Sequence, residues 1–442
     1  MKDAQGNPVS HSSEAAVAAL DRGVAQLNAF RGDPVGTVAP LLKEHPDFVM
    51  GHIFLGGLFA TAMDKTLAGH TERALSAALP LLAQSNDRER AHYAAVRRWA
   101  DGDIAGATEA WGRIAMDYPR DILAIQFAQQ GDFFQGQSLM LRDRVQRVIR
   151  QWTPDVQGFG YVLGMLSFGH EEVGEYRRAE QIGREAVAME PRDAWAAHAV
   201  AHVLEMEGRV SQGLDWIETT KAGWDEDGLL AYHLWWHAGL MRIDRGDVAE
   251  TLAIYDGHIA AGGLGQALEL VDASALLWRL WVLGHDVGQR WRAVADKWAL
   301  RLQHGISAFN DVHAVMAFAA LGMDVEMDAQ IATLERSAAG SDTNAMMARL
   351  AGLPVARGFA AFGRGDYAGA LAHLLEAMPR AAAFGGSHAQ RDVLGWTAME
   401  AAVRAGDRAA AEALVAERVS RKTEAVPTHG WLRRTEALRR AS

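Results

Sequence analysis

The chain has 442 residues, of which 49% are hydrophobic and 22% charged, a balance ordinary for a folded globular protein. Its formal net charge of −11, with no long basic run, disfavours nucleic acid and anionic membrane surfaces as main partners. It contains no cysteine, which excludes disulfides, thiolate zinc sites, iron–sulfur clusters and cysteine nucleophiles.

The first residues, MKDAQGNPVSHSSEAAVAAL, lack a charged start followed by an apolar core, so no secretory signal is predicted. No run of about 18 apolar residues spans a bilayer. A cytoplasmic protein is the expectation. Alanine, leucine, arginine and glutamate dominate, prolines number only 11, and apolar residues recur at helical spacing along most of the chain. The breaks fall at a recurring pair: Gly32-Asp33, Gly102-Asp103, Gly131-Asp132, Gly246-Asp247, Gly365-Asp366 and Gly406-Asp407. Glycine ends a helix in the left-handed conformation and aspartate caps the next one. The prediction is a string of helix–turn–helix units.

In chain order, AAVRRWADGDIAGATEAWGRIAMDYPRD is followed by GMLSFGHEEVGEYRRAEQIGREAVAMEPRD. Each has a small residue before the turn (Ala95, Ser167), a glycine at it (Gly102, Gly174), an alanine in the second helix (Ala107, Ala179) and a closing Pro-Arg-Asp at Pro119 or Pro191. Gly208 follows Gly174 by 34 residues, and GFAAFGRGDYAGALAHLLEAM restarts the pattern near Gly358. These units resemble tetratricopeptide repeats, whose period is about 34 residues. The predicted fold is an all-α, tetratricopeptide-repeat-like α-solenoid of stacked antiparallel helix pairs. It is read as one continuous domain over 1–442, with a bend in the glycine-rich 260–266.

DAWAAHAVAHVLEMEG (193–208) reads as an apolar helix that carries His198, His202 and Glu205 along one stripe. With Gly208 at the turn, that stripe falls on the positions lining the concave groove of a tetratricopeptide repeat. Ala197, Val200, Ala201 and Leu204 take the packing positions. The next unit, AYHLWWHAGLMRIDRGD, sets His233 and His237 one turn apart beside Trp236. The preceding one offers Tyr161, Phe168 and Glu171. Convergence of such groups in a groove points to a site.

Two histidines at i and i+4 grip a metal readily, and this spacing occurs twice, at His198/His202 and His233/His237. His198 and Glu205 are roughly 10 Å apart along the axis, so one ion takes ligands from both helices. Three readings stand: histidines satisfied between packed helices, a metal-free polar pocket, and a bound divalent metal such as zinc. Lone histidines such as His52, His92 and His373 take the first. Further on, AFNDVHAVMAF groups Asn310, Asp311 and His313, either as a helix cap or as acid/base and orienting groups. GGSHAQRDVLGW offers Arg391 and Asp392 behind a glycine pair, either an anion grip or a plainly capped helix start. No phosphate loop, dinucleotide fingerprint or nucleophile elbow is present.

The stretches HPDFVMGH, WTPD, SFG, PRDAWAAHAVAHVLEM, YHLWWH, IYDGHI, VGQRW, FNDVH and GGSHAQRD, spread from 45 to 392, resemble the tetratricopeptide repeat protein 38 family. The resemblance implies a helical-repeat fold and a cytoplasmic setting, and no particular activity. The leading functional expectation is an enzyme acting on a small polar molecule by hydrolysis, elimination or isomerisation. His198, His202, Glu205, His233, His237 and Asp311 would be catalytic. Tyr161, Glu171, Trp236, Asn310, His313, Arg391 and Asp392 would bind substrate. The alternative is a non-catalytic scaffold holding a peptide or protein partner in an open groove. No nucleic acid or membrane partner is expected; a homo-oligomer is left open.

Overall fold

The computed structural model describes residues 1–441. Among them every regular element is helical, and two isolated bridges, Lys2 with Pro8 and Arg31 with Gly228, are the only strand-like pairings. Consecutive helices form antiparallel pairs, such as Asp87–Ala100 with Ile104–Asp117 and Phe159–Glu172 with Tyr176–Met189. The all-α fold of stacked antiparallel helix pairs is therefore observed.

The Gly-Asp pairs work as their chemistry requires. Gly32, Gly102, Gly365 and Gly406 have positive φ. The side chains of Asp33, Asp103, Asp366 and Asp407 then accept from backbone N–H groups three residues on. Asp121 and Asp193, which close the Pro-Arg-Asp signatures, cap the following helices likewise. The small residues let paired helices touch: Ala95, Ala107, Ser167 and Ala179 are all fully buried, and the Ser167 hydroxyl donates to the Ala179 carbonyl at 2.7 Å.

Gly131-Asp132 departs from the prediction. It lies inside the helix Ile122–Phe134, and the turn comes at Gly136. Gly131 is there for a close approach, since a Cβ on it would stand 2.0 Å from the Thr108 hydroxyl. Asp132 is buried and takes Arg144 Nε at 2.7 Å instead of capping.

The chain divides into two compact units. The first comprises 1–200 and 220–231, the second 201–219 and everything from 232 onward. The core of the first runs from Val17 and Leu20 through Phe54, Trp111 and Phe127 to Ile182. The second stacks the pairs Ala267–Val282 with Arg290–Ala299, Ala308–Leu321 with Asp324–Ala338, Leu353–Gly363 with Tyr367–Ala377, and His388–Ala405 with Arg408–Arg421. Its interior holds Trp236, Trp278 and Phe318, and Trp278 Nε1 donates to Thr397 Oγ1 at 2.9 Å. The segment 260–266 is a loop before the Ala267–Val282 helix. No helix of the described residues is long and apolar enough to cross a membrane.

Candidate functional site

The helix Ala194–Met206 runs through the division between the units, and its second half, from Ala201, belongs to the second. The predicted packing residues Ala197, Val200, Ala201 and Leu204 are buried, and so is the polar stripe. His202 is 0% and Glu205 3% exposed. The helix Ala231–Arg245 buries Leu234, Ala238 and Met241 on one side and His233, Trp236 and His237 on the other. These histidines thus lie inside the second unit, whereas an open-groove geometry would leave them at a solvated surface.

Within that unit two histidine–carboxylate pairs converge. His237 Nδ1 meets Glu205 Oε2 at 2.7 Å, and His233 Nδ1 meets Asp272 Oδ2 at 2.6 Å. A carboxylate only accepts, so each Nδ1 carries a proton. The His237 ring lies 4.3 Å from that of His202 and 4.9 Å from that of His233, centroid to centroid. Nitrogens of His202, His233 and His237 come within 4.8 Å of one another, the separation that a single shared ion requires. Trp236 stacks on His233 with the planes 10° apart and fixes its ring. Burial, with His202, His233, Lys422 and Arg279 around it, holds His237 well below the ordinary imidazole value.

Glu205 continues into a line of buried charges. Lys422 Nζ lies 3.5 Å from Glu205 Oε1 and 2.7 Å from Asp244 Oδ2. Arg418 Nη2 is 3.6 Å from Asp244, and Arg418 Nη1 donates to Asp392 Oδ2 at 2.7 Å. Burial alone would depress Lys422, but Asp244 and Glu205 outweigh it and raise the ammonium. Burial likewise pushes Asp392 up, and Arg418, Arg279 and Lys422 overcome it and hold the carboxyl below its usual range. Arg279 lies over Trp236 at 5.5 Å and over Trp396 at 5.8 Å, and burial lowers it to about 10. The carboxylates Glu205, Asp244 and Asp392 thus lie among the cations Arg279, Arg418 and Lys422, and Asp272 pairs with His233. A cavity of about 340 Å³ in the same unit is lined by Glu205, Arg391, Asp392, Arg418 and Lys422 among others.

Of the residues singled out in the sequence, His202, Glu205, His233, Trp236 and His237 form this cluster. Asp392 joins it through Arg418, and Arg391 stands in the cavity wall. Asn310, Asp311 and His313 do not act as one group. Ser307 is the cap of their helix, its hydroxyl accepting from the Asn310 N–H. Asp311 faces the Asp324–Ala338 helix, where Gln330 Nε2 donates to it at 2.8 Å. His313 Nδ1 bonds the Phe309 carbonyl at 2.8 Å. The glycine pair precedes a capping box formed by Ser387 and Gln390, and Arg391 donates to the Gly386 carbonyl.

Three expected site residues belong to the first unit. His198 packs on Phe168 and Trp195, with ring centroids 5.4 and 4.9 Å away, and Glu171 is fully buried. Tyr161 lines a separate cavity of about 240 Å³ beside Gln5, Asp21 and Glu190. Burial, reinforced by Glu190 and Asp193, pushes its hydroxyl up.

The sequence reading missed Asp272, Asp244, Arg279, Arg418 and Lys422. Asp272 had a signal: it is a lone acid inside the apolar run LVDASALLW. Lys422 had none, being 217 residues from its partner Glu205. No family model matches the chain.

Proposed function

We propose that the chain is a metal-assisted hydrolase of small polar molecules, with His202, His233 and His237 as the ligands of a divalent ion. The observation that carries this reading is the pair of dyads, Asp272–His233 and Glu205–His237, whose imidazoles converge with that of His202. A carboxylate on the far nitrogen fixes tautomer and ring orientation and raises the basicity of the ligating one. Imidazoles without thiolates suit zinc or a similar divalent ion. Such an ion would supply an activated water at neutral pH. The chemistry supplied would be addition of water across an amide or ester bond, giving an acid and an amine or alcohol. Enclosure of the histidines argues against a peptide strung along an open groove. The resemblance to the tetratricopeptide repeat protein 38 family belongs to the same proposal and adds no activity to it.

The test is elemental analysis of the purified full chain, repeated on His202→Ala and His237→Ala. About one equivalent of zinc, iron or manganese is expected, absent from both variants. A folded wild-type chain that takes up no metal after incubation with each ion overturns the proposal.

A further inference from the structure

We infer that the cavity of the second unit receives a small carboxylic acid with an apolar body. The inference rests on the hydrolase reading only for its chemistry, because the cavity carries its own evidence. Its volume, about 340 Å³, lies at the lower end of small-molecule sites. The two sides of its wall differ in kind.

One side is cationic. Arg391, Arg418, Arg421 and Lys422 line it against Glu205, Asp392 and Glu417, which leaves one positive charge in excess. Arg418 and Lys422 are held by Asp392 and Asp244. Arg391 and Arg421 remain as the cations of this wall for a ligand to meet, and a guanidinium matches the two oxygens of a carboxylate.

The other side is apolar: Met206, Met378, Leu394, Met399 and Leu414. Methionines accommodate varied shapes, which suits an unbranched or loosely specified chain. Inorganic phosphate would satisfy the arginines and leave this side empty; a neutral hydrocarbon would fill it and leave the cationic side without an anion. A carboxylate on a short apolar chain does both. Glu205, which accepts from His237, is also part of the cavity wall, so ligand and histidine cluster share a residue. The substrate class follows: an amide or ester that bears a free carboxylate and a short apolar segment.

The experiment is calorimetric titration of the full chain, stripped of metal by a chelator, with hexanoate, acetate and inorganic phosphate. The expected result is one hexanoate site, with acetate at least about tenfold weaker because it lacks the chain. Arg421→Gln, at an exposed position, and Arg391→Gln should each weaken hexanoate about tenfold without loss of helical circular dichroism. Met378→Glu, at a half-buried position, should weaken hexanoate and spare acetate. Arg418→Gln sits in the ionic network and is read only if it folds. Absence of hexanoate binding to the folded chain overturns the proposal, as does binding that ignores Arg391 and Arg421. Phosphate bound as tightly as hexanoate overturns the apolar part and makes the cavity an oxyanion site. Because metal is absent throughout, failure here leaves the elemental analysis standing, and failure there leaves this titration standing.

Discussion

Asp311 offers a sharp quantitative test of how burial governs this interior. It is 5% exposed, and among the described residues no cation faces it and Gln330 is its only side-chain hydrogen-bond donor. Burial raises its carboxyl from 3.8 to about 7, and the Gln330 bond opposes this only in part. The folded chain therefore holds a proton that the unfolded chain has already released between pH 4 and 7. Stability must fall as pH rises through that window, and the full penalty is present above it. A rise from 3.8 to about 7 corresponds to about 4 kcal/mol at pH 8. Asp311→Asn keeps an oxygen for Gln330 and carries no charge. It should be close to neutral at pH 4 and stabilising by up to about 4 kcal/mol at pH 8, the gain growing by about 1.4 kcal/mol per pH unit between. Burial lowers His313, on the same helix, to about 4, which gives the opposite slope below pH 6.5. That contribution is common to both proteins and cancels in the difference. Native-state hydrogen exchange of the Ala308–Leu321 amides reads the local opening free energy without assuming that a two-unit chain unfolds in one step. A gain that does not change with pH, or a loss at pH 8, would refute the reasoning.

Three further outcomes are expected. Asp272→Asn should leave metal stoichiometry at one and weaken affinity about 10- to 100-fold, measured by competition with a chromophoric chelator; unchanged affinity removes His233 from the ligand set. Lys422→Met should cost about 3–5 kcal/mol in urea unfolding, because Glu205 and Asp244 are left buried without their shared cation, and adding Asp244→Asn should recover part of it. Gly131→Ala should lose about 1–3 kcal/mol to crowding against Thr108, although alanine is favoured in a free helix by about 1 kcal/mol. Thr108→Ala in that background should return most of the loss; a stabilised single variant would show that the helices have room to part.

What the sequence made legible was local. A glycine in the left-handed region followed by an aspartate is a complete turn signal, because both the positive φ and the capping oxygen are properties of those two residues. It held at Gly102-Asp103 and Gly406-Asp407. It failed at Gly131-Asp132, where the same pair answers two distant partners, the Thr108 hydroxyl and the Arg144 guanidinium. The asparagine and aspartate at 310 and 311 misled for a related reason: Ser307, three residues before Asn310, had already satisfied the helix start. In the site, the spacing of His233 and His237 was readable because i and i+4 share a face on any helix. Asp272 lies 39 residues from His233, and no local rule names it.

The difference between a groove and an interior is the larger lesson of the second unit. Positional rules for stacked repeats put His202 and Glu205 on the face that neighbouring repeats leave open. Here Lys422 and Arg418, from the end of the chain, cover that face, and the polar stripe becomes buried. A buried stripe needs partners, because an unpaired ion in such surroundings costs several kcal/mol. The structure provides them in sequence: Asp272, His233, then His237, Glu205, Lys422, Asp244, Arg418 and Asp392. Leucines of similar size would stabilise the same stack at least as well. A line of charges kept at that cost, with the His237–Glu205 pair at one end and Arg418 and Asp392 in a cavity wall toward the other, is what the proposed site would demand and what stacking alone does not. If His202→Leu together with His237→Leu yields a chain that is more stable than wild type yet binds no metal, stability and chemistry will have been separated at those two positions.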